Sequence, residues 1–216
     1  MALWKDRILP WFVHAALRTT EFQEVRSEYL GKAEGQVLEI GFGSGLNLPH
    51  LSDRVRKLYA VEPADAAWRI ARATVERAPF PVERTGTTAE AIPLPDGSVD
   101  EVISSFSLCT IPDAEKALRE VRRVLRPGGT FRFVEHGRSE DARIAKWQDR
   151  LDPVQQWLAG GCHLNREPDR LLREAGFRIE RLDRFEIPGP RVIMSLYGGA
   201  AIISSCSTSK SAVSED

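Results

Sequence analysis

Apolar positions along the chain alternate between two periods. Short, mostly apolar runs at 36–40, 57–61 and 99–106 have the length and composition of strands buried on both faces. A shorter run at 82–85 and another at 130–135 read the same way. Between them, 64–77 and 114–125 space their apolar residues as amphipathic helices do. A further helix is expected from near Leu46, straight after the first strand. Helices are predicted over 143–158 and 166–175, with Gly176 at the C-cap of the second. Two closing strands, 177–187 and 191–203, are joined by Pro188-Gly189-Pro190, a link short enough for an antiparallel pair. Ahead of the first strand, Trp4, Ile8, Trp11, Phe12 and Ala15 recur at helical intervals, so 4–30 is predicted helical. Asp96-Gly97-Ser98 and Pro127-Gly128-Gly129 mark turns, and no internal repeat is visible.

Strands alternating with helices predict an α/β fold: a doubly wound, mostly parallel sheet of seven strands with helices on both faces. Ligands of such sheets lie beyond the carboxyl ends of the strands, where the strand order reverses. Residues 39–45, Glu62, 105–109 and Glu135-His136 all follow strand ends and should meet in one cleft. The organisation expected is an N-terminal helical extension at 1–30, able to act as a lid, a single domain at 31–203, and a disordered, Ser-rich tail at 204–216.

Composition narrows the class. The formal charge is −1, which gives no basic stripe for nucleic acid. Cys109, Cys162 and Cys206 are odd in number, widely spaced and outside any C-x-x-C pair. That spacing suggests a reducing, cytoplasmic setting, with no disulfide framework and no zinc signature, so no metal is expected. Pro10 and His14 interrupt the apolar stretch at 8–17, which is too short to span a bilayer.

The most specific stretch is Val37-Leu38-Glu39-Ile40-Gly41-Phe42-Gly43-Ser44-Gly45-Leu46-Asn47. A buried strand delivers an acidic residue and then glycines on alternate positions, so that a ligand can lie against bare main chain. Glu62 ends the next strand at the distance at which an acidic residue takes ribose hydroxyls. Leu46 stands where a dinucleotide fingerprint needs its third glycine, and no Lys-Ser/Thr pair follows, which excludes a P-loop. The pattern resembles the first motif of the class I S-adenosylmethionine-dependent methyltransferases, of the type 11 group. The resemblance implies a Rossmann-like fold with an antiparallel C-terminal strand and S-adenosylmethionine as cofactor. It places Glu39, Gly41, Gly43, Gly45, Asn47, Glu62, Pro63, Ser105 and Phe106 around the cofactor, with Ala89 and Glu90 of the segment 86–95 covering adenine.

A narrower resemblance is carried, in order, by Ser107-Leu108-Cys109-Thr110-Ile111, Phe133-Val134-Glu135-His136, Leu151-Asp152-Pro153 with Trp157, and 161–167. It is to the methyltransferase-like alkyl-thiol S-methyltransferases and runs over 37–198. Two positions depart from it: Phe42 and Ser44 replace Cys and Thr in the glycine loop. The animal members carry an N-terminal membrane anchor, for which this sequence offers no counterpart, so no stable membrane insertion is expected. The implied acceptor is a small, rather apolar thiol. Lipid or quinone acceptors, and a non-catalytic S-adenosylmethionine-binding domain, are the alternatives. A thiol with a pKa near 8.5 is already partly ionised at neutral pH, so a base is optional. His136, then His163, are the candidates for one; Cys109 and Cys162 read as small buried residues.

Overall fold

The computed structural model describes residues 4–203; the predicted tail, with Cys206, lies outside them. Seven strands form one sheet: β1 (Gly35–Ile40), β2 (Val55–Val61), β3 (Val82–Gly86), β4 (Val99–Ser105), β5 (Leu125–His136), β6 (Phe177–Glu186) and β7 (Ser195–Ile203). Their spatial order is β3-β2-β1-β4-β5-β7-β6. β1 pairs in parallel with β2 and β4, β2 with β3, and β4 with β5; β7 alone runs against its neighbours β5 and β6. The order therefore reverses between β1 and β4, which fixes the crevice at their carboxyl ends.

Alternation along each strand feeds two cores. Leu38, Ile40, Val102, Phe131 and Phe133 face one way, against α4 (Ala114–Val124) and α6 (Pro168–Glu174). Val37, Leu58, Ala60, Ile103 and Val134 face the other, against α2 (Thr20–Leu30) and α3 (Asp65–Val75). The predicted N-terminal helix is broken. A π-helical turn, Trp4–Ile8, runs into α1 (Leu9–Ala16), and 17–19 separate it from α2. α2 is part of the core layer: Phe22, Val25, Arg26, Tyr29 and Leu30 are buried, and Tyr29 stacks on Phe185 while its hydroxyl donates to Asp183 (3.0 Å).

Four boundaries differ from expectation. The helix from Leu46 does not form; a single 3-10 turn, Leu48–His50, stands there. Pro49 lacks the N–H a helix needs, and β2 begins at Val55, earlier than periodicity suggested. β5 begins at Leu125, so Pro127-Gly128-Gly129 is a bulge within the strand. Val99 pairs with Leu125, but Glu101 already pairs with Thr130. α6 starts only at Pro168, a favoured first helical residue. β7 starts at Ser195, because the amides of Ile193 and Met194 both turn back to the Pro190 carbonyl.

α5 (Ala142–Leu158) and α1 keep apolar side chains in solvent: Trp11, Phe12, Trp147, Val154 and Trp157 are all more than half exposed. No helix among the described residues is long and apolar enough to cross a membrane.

Candidate active site

A cavity of about 560 Å³ opens at the switch point. Its floor is the glycine loop Gly41–Asn47 without Gly45. Its sides are Glu62-Pro63-Ala64, Thr87–Glu90 and Ser105-Phe106-Ser107, and Arg26 reaches in from α2. Leu9, Pro10, Val13 and Leu17 line it too, as do Thr110, Ile111 and Pro112. Nine of the predicted cofactor residues line it: Gly41, Gly43, Asn47, Glu62, Pro63, Ala89, Glu90, Ser105 and Phe106. Two do not. Glu39 lies just beneath the floor. Gly45 turns away, where a Cβ would press on Ala71, Phe42 and Leu48, so its smallness serves helix packing.

Gly43 marks where a ligand fits. Its φ is +58°, and a Cβ there would meet only the Gly41 carbonyl, at 3.9 Å, so the space above it belongs to the cavity. Its amide donates to Glu62 Oε2 (2.6 Å), and the Ala64 amide donates to Glu62 Oε1 (2.7 Å). These bonds fix the carboxylate at the end of β2 and leave each oxygen further lone pairs for donors in the cavity. Burial nevertheless pushes the Glu62 carboxyl above its ordinary range, against those two bonds.

Beneath the floor sits a buried polar network. Asn47 Nδ2 donates to Glu39 Oε1 (2.6 Å) and to Ser105 Oγ (2.8 Å). Arg26 Nε donates to Asn47 Oδ1 (3.0 Å), and its Nη1 donates to the Leu17 carbonyl (2.8 Å). Glu39 Oε2 is buried without a partner. Burial drives the Glu39 carboxyl up to about 8, despite Asn47 and the Arg26 charge. Burial likewise lowers the Arg26 guanidinium to about 10, with Glu39 opposing. An unpartnered acidic oxygen beside a cavity floor is a seat for a cationic group, and Arg26 at its rim suits an anionic one.

Phe106, at the end of β4, is the only non-glycine residue with positive φ among those described, at +53°. Its amide donates to the Val134 carbonyl (2.9 Å). Its ring meets Phe22 edge-on (5.1 Å), His136 (5.1 Å) and the Arg26 guanidinium (5.5 Å). Backbone strain of this kind costs about 1–3 kcal/mol and is retained where surroundings dictate the conformation.

The two candidate catalytic histidines stand behind the wall; neither lines the cavity. His136 Nδ1 lies 4.0 Å from Cys109 Sγ, and its Nε2 is buried without a partner. His163 Nδ1 is 3.2 Å from Asp152 Oδ2. Cys109 and Cys162, expected as inert core residues, are buried with their sulfurs 3.5 Å apart. Their shared hydrogen bond, with His136 beside it, makes Cys162 the more acidic. The same bond and burial push Cys109 up. His14, by contrast, reaches the glycine loop: its Nδ1 is 2.7 Å from Ser44 Oγ.

Residues 38–133 match the model of the family described as a methyltransferase domain. Over 94 residues the chain is 44% identical to the human thiol S-methyltransferase TMT1A, covering 43% of this chain and 38% of that protein. It is 38% identical over 94 residues to the ubiquinone/menaquinone biosynthesis C-methyltransferase UbiE of Caulobacter vibrioides, covering 40% and 37%. The chain thus spans about two-fifths of the length of these relatives. Among solved structures, an S-adenosylmethionine-dependent methyltransferase from Aquifex aeolicus superposes with a TM-score of 0.61 at 22% identity, over 90% of this chain and 98% of that one. The cofactor implied by family and fold is S-adenosylmethionine, and the site fits it. Glu39 offers an orphaned acidic oxygen, Gly43 a bare backbone, and Glu62 a fixed carboxylate at the cavity edge. Residues 38–133 thus resemble a methyltransferase domain, and the sheet that carries them has the fold of solved S-adenosylmethionine-dependent methyltransferases.

Proposed function

We propose that this chain transfers a methyl group from S-adenosylmethionine to a small, rather apolar thiol. When bound, the cofactor supplies an electrophilic methyl on a sulfonium. Glu62 would hold the ribose hydroxyls, Gly41 and Gly43 would lie against the ligand, and Glu39 with Asn47 would take the ammonium. Arg26 would take the carboxylate, and Ala89 with Glu90 would cover adenine. All of these line the cavity except Glu39, which lies just beneath its floor and is tied to it through Asn47.

The acceptor end carries the reading. Leu9, Pro10, Val13, Leu17, Ile111 and Pro112 give the cavity an apolar share of its lining, where a greasy acceptor would sit. Such walls favour a greasy acceptor and exclude water, and the protein contributes mainly alignment and dryness. α1 supplies Leu9, Pro10 and Val13, which supports a role as a lid over the acceptor. Neither His136 nor His163 lines the cavity, which suits an acceptor that ionises unaided, as a thiol does and a phenol or amine does less readily. The identity to TMT1A supports the same class. A thiol acceptor and the formal charge of −1 both fit a reducing compartment and a small-molecule partner rather than nucleic acid.

A quinol is the second reading, favoured by the similarity to UbiE. A panel of thiols, catechols, quinols, phosphoethanolamine lipids and small amines, incubated with methyl-labelled cofactor, separates the two. Label in a small thiol is expected. Label only in an oxygen, carbon or nitrogen acceptor would overturn the thiol assignment, and no label in any acceptor would favour a binding domain without catalysis.

A further inference from the structure

Behind the cavity wall, three side chains from three separate elements converge. Cys109 follows β4, His136 is the last residue of β5, and Cys162 follows α5. Their ligand atoms all lie within 4.8 Å of one another. The sulfurs are 3.5 Å apart, and Cys109 Sγ is 4.0 Å from His136 Nδ1. Tetrahedral zinc with its usual bond lengths needs about 3.8 Å between two sulfurs and about 3.6 Å between sulfur and nitrogen. The edges from Cys109 to Cys162 and to His136 need adjustments of a few tenths of an ångström to close around an ion, and the third edge lies within 4.8 Å.

The triangle is held by its frame. The His163 amide donates to the Cys109 carbonyl (2.8 Å), tying the two cysteine loops together. Arg166 Nη1 donates to the carbonyls of Leu108 and Ile111 (2.7 Å to the latter), bracketing Cys109. Gly161, with φ of +114°, lets the chain leave α5 so that Cys162 turns inward. A buried acid and a cation also flank the cluster. Glu135 is fully buried next to Cys109, with Oε1 bound by Ser104 (2.6 Å) and Oε2 unpartnered. Arg166 is the neighbouring cation, and the hydrogen bonds of its Nη1 go to carbonyls.

We propose that Cys109, His136 and Cys162 form a binding site for a thiophilic divalent cation, zinc above all, with the fourth corner left to a small ligand such as water. Two thiolates and a neutral imidazole are the donor set that suits zinc, and three protein ligands are the number found where one position stays open. Binding displaces the protons of the two thiols to solvent, and a zinc dithiolate then carries no net charge. The inference is independent of the acceptor's identity. The histidine distinguishes it from a simple dithiol switch, which would need the two sulfurs alone.

The test uses the full chain carrying Cys206→Ser, stripped of metal and kept under a phosphine reductant. It is titrated with zinc and, separately, with cobalt(II). One equivalent of zinc should bind, and the cobalt form should show thiolate-to-metal charge transfer with the intense visible bands of a tetrahedral ion. Changing outer-shell partners alone costs about 10- to 100-fold in metal affinity, so Cys162→Ser and His136→Gln should each lose at least about 100-fold. Circular dichroism of both variants monitors folding, and the Cys206→Ser parent decides the matter even if a variant unfolds. No uptake by the reduced parent overturns the proposal. So does an octahedral, charge-transfer-free cobalt spectrum, or a Cys109–Cys162 disulfide that forms under mild oxidant equally fast with and without zinc.

Discussion

Glu39 should make cofactor binding release a proton. Without a cationic partner its carboxyl sits at about 8, because burial outweighs the Asn47 bond and the Arg26 charge. It is therefore about 90% protonated at pH 7 and about 99% at pH 6. An ammonium placed against its orphaned oxygen demands the ionised form. Affinity is reduced by the fraction of sites that are competent, about one in eleven at pH 7 and one in a hundred at pH 6. Apparent affinity for S-adenosylmethionine should thus rise about ninefold between those values, with about 0.9 proton released at pH 7. Burial shifts Glu62 in the same direction. His14, which touches the loop, is held below its ordinary pKa chiefly by burial, with the Arg18 charge acting the same way. Calorimetry in two buffers of different ionisation enthalpy measures the proton count directly. Glu39→Gln should bind more weakly and lose most of the slope. An affinity that is flat from pH 6 to 7, with no buffer dependence of the heat, would refute the placement of the ammonium at Glu39. The same group bears on folding of the empty chain. Its folded pKa is raised, so its stabilising contribution is complete below about 4.5 and is lost as pH climbs through about 8.

Other outcomes follow from the same geometry. Glu62→Ala removes charge-assisted bonds worth about 1.5–3 kcal/mol, so cofactor affinity should fall roughly 10- to 150-fold by calorimetry; an unchanged value would remove Glu62 from the site. Gly43→Ala should cost about 1–2 kcal/mol of stability, since φ is +58°, yet abolish measurable cofactor binding because the Cβ enters the cavity; normal binding would make the loop merely structural. The double change Leu9→Ser and Val13→Ser should raise the Michaelis constant for an apolar acceptor more than that for the cofactor, and equal effects would reduce α1 to edge packing. With a thiol acceptor, turnover should climb with pH toward that thiol's own pKa, and His136→Ala should slow it by less than about tenfold. Near-complete loss with that variant would point to a base and to another acceptor.

What the sequence made legible was local or fixed by topology. β1 and β4 could be read because most of their residues are buried, on both faces, and β2 because its last residues, Leu58, Ala60 and Val61, are. Glu39, Glu62, Ser105 and Phe106 could be placed together before any coordinates, because a parallel sheet delivers its strand ends to one edge. The errors lie where a local signal met a geometric one. The glycine loop invited a helix after it, but Pro49 and the early start of β2 left room for one 3-10 turn. Pro127-Gly128-Gly129 is a turn signal by composition, yet the sheet absorbs it as a bulge, with Gly129 so close to the Asp100 carbonyl that a Cβ would sit 2.7 Å from it.

Arg26 shows what a different reading of the same pattern could have found. On α2 it falls within the stripe Phe22, Val25, Tyr29, Leu30, where the helical period puts it toward the core, and it is 2% exposed. A guanidinium on an apolar stripe is costly to bury unless something polar waits for it. That mismatch is visible in the sequence, although its partner is not. Asn47 and the carbonyl of Leu17 come from different parts of the chain, and only the fold brings them within 3.0 Å. Cys109 and His136 meet as residues at neighbouring strand ends should, but Cys162, beyond α5, joins them with no spacing that announces it. A strand end declares where its residues will meet others; a residue on a helix or a connection declares only that it is out of place. In this chain Glu39 and Glu62 belong to the first kind and Arg26 to the second. The second kind is found by asking which polar residue the hydrophobic pattern cannot accommodate.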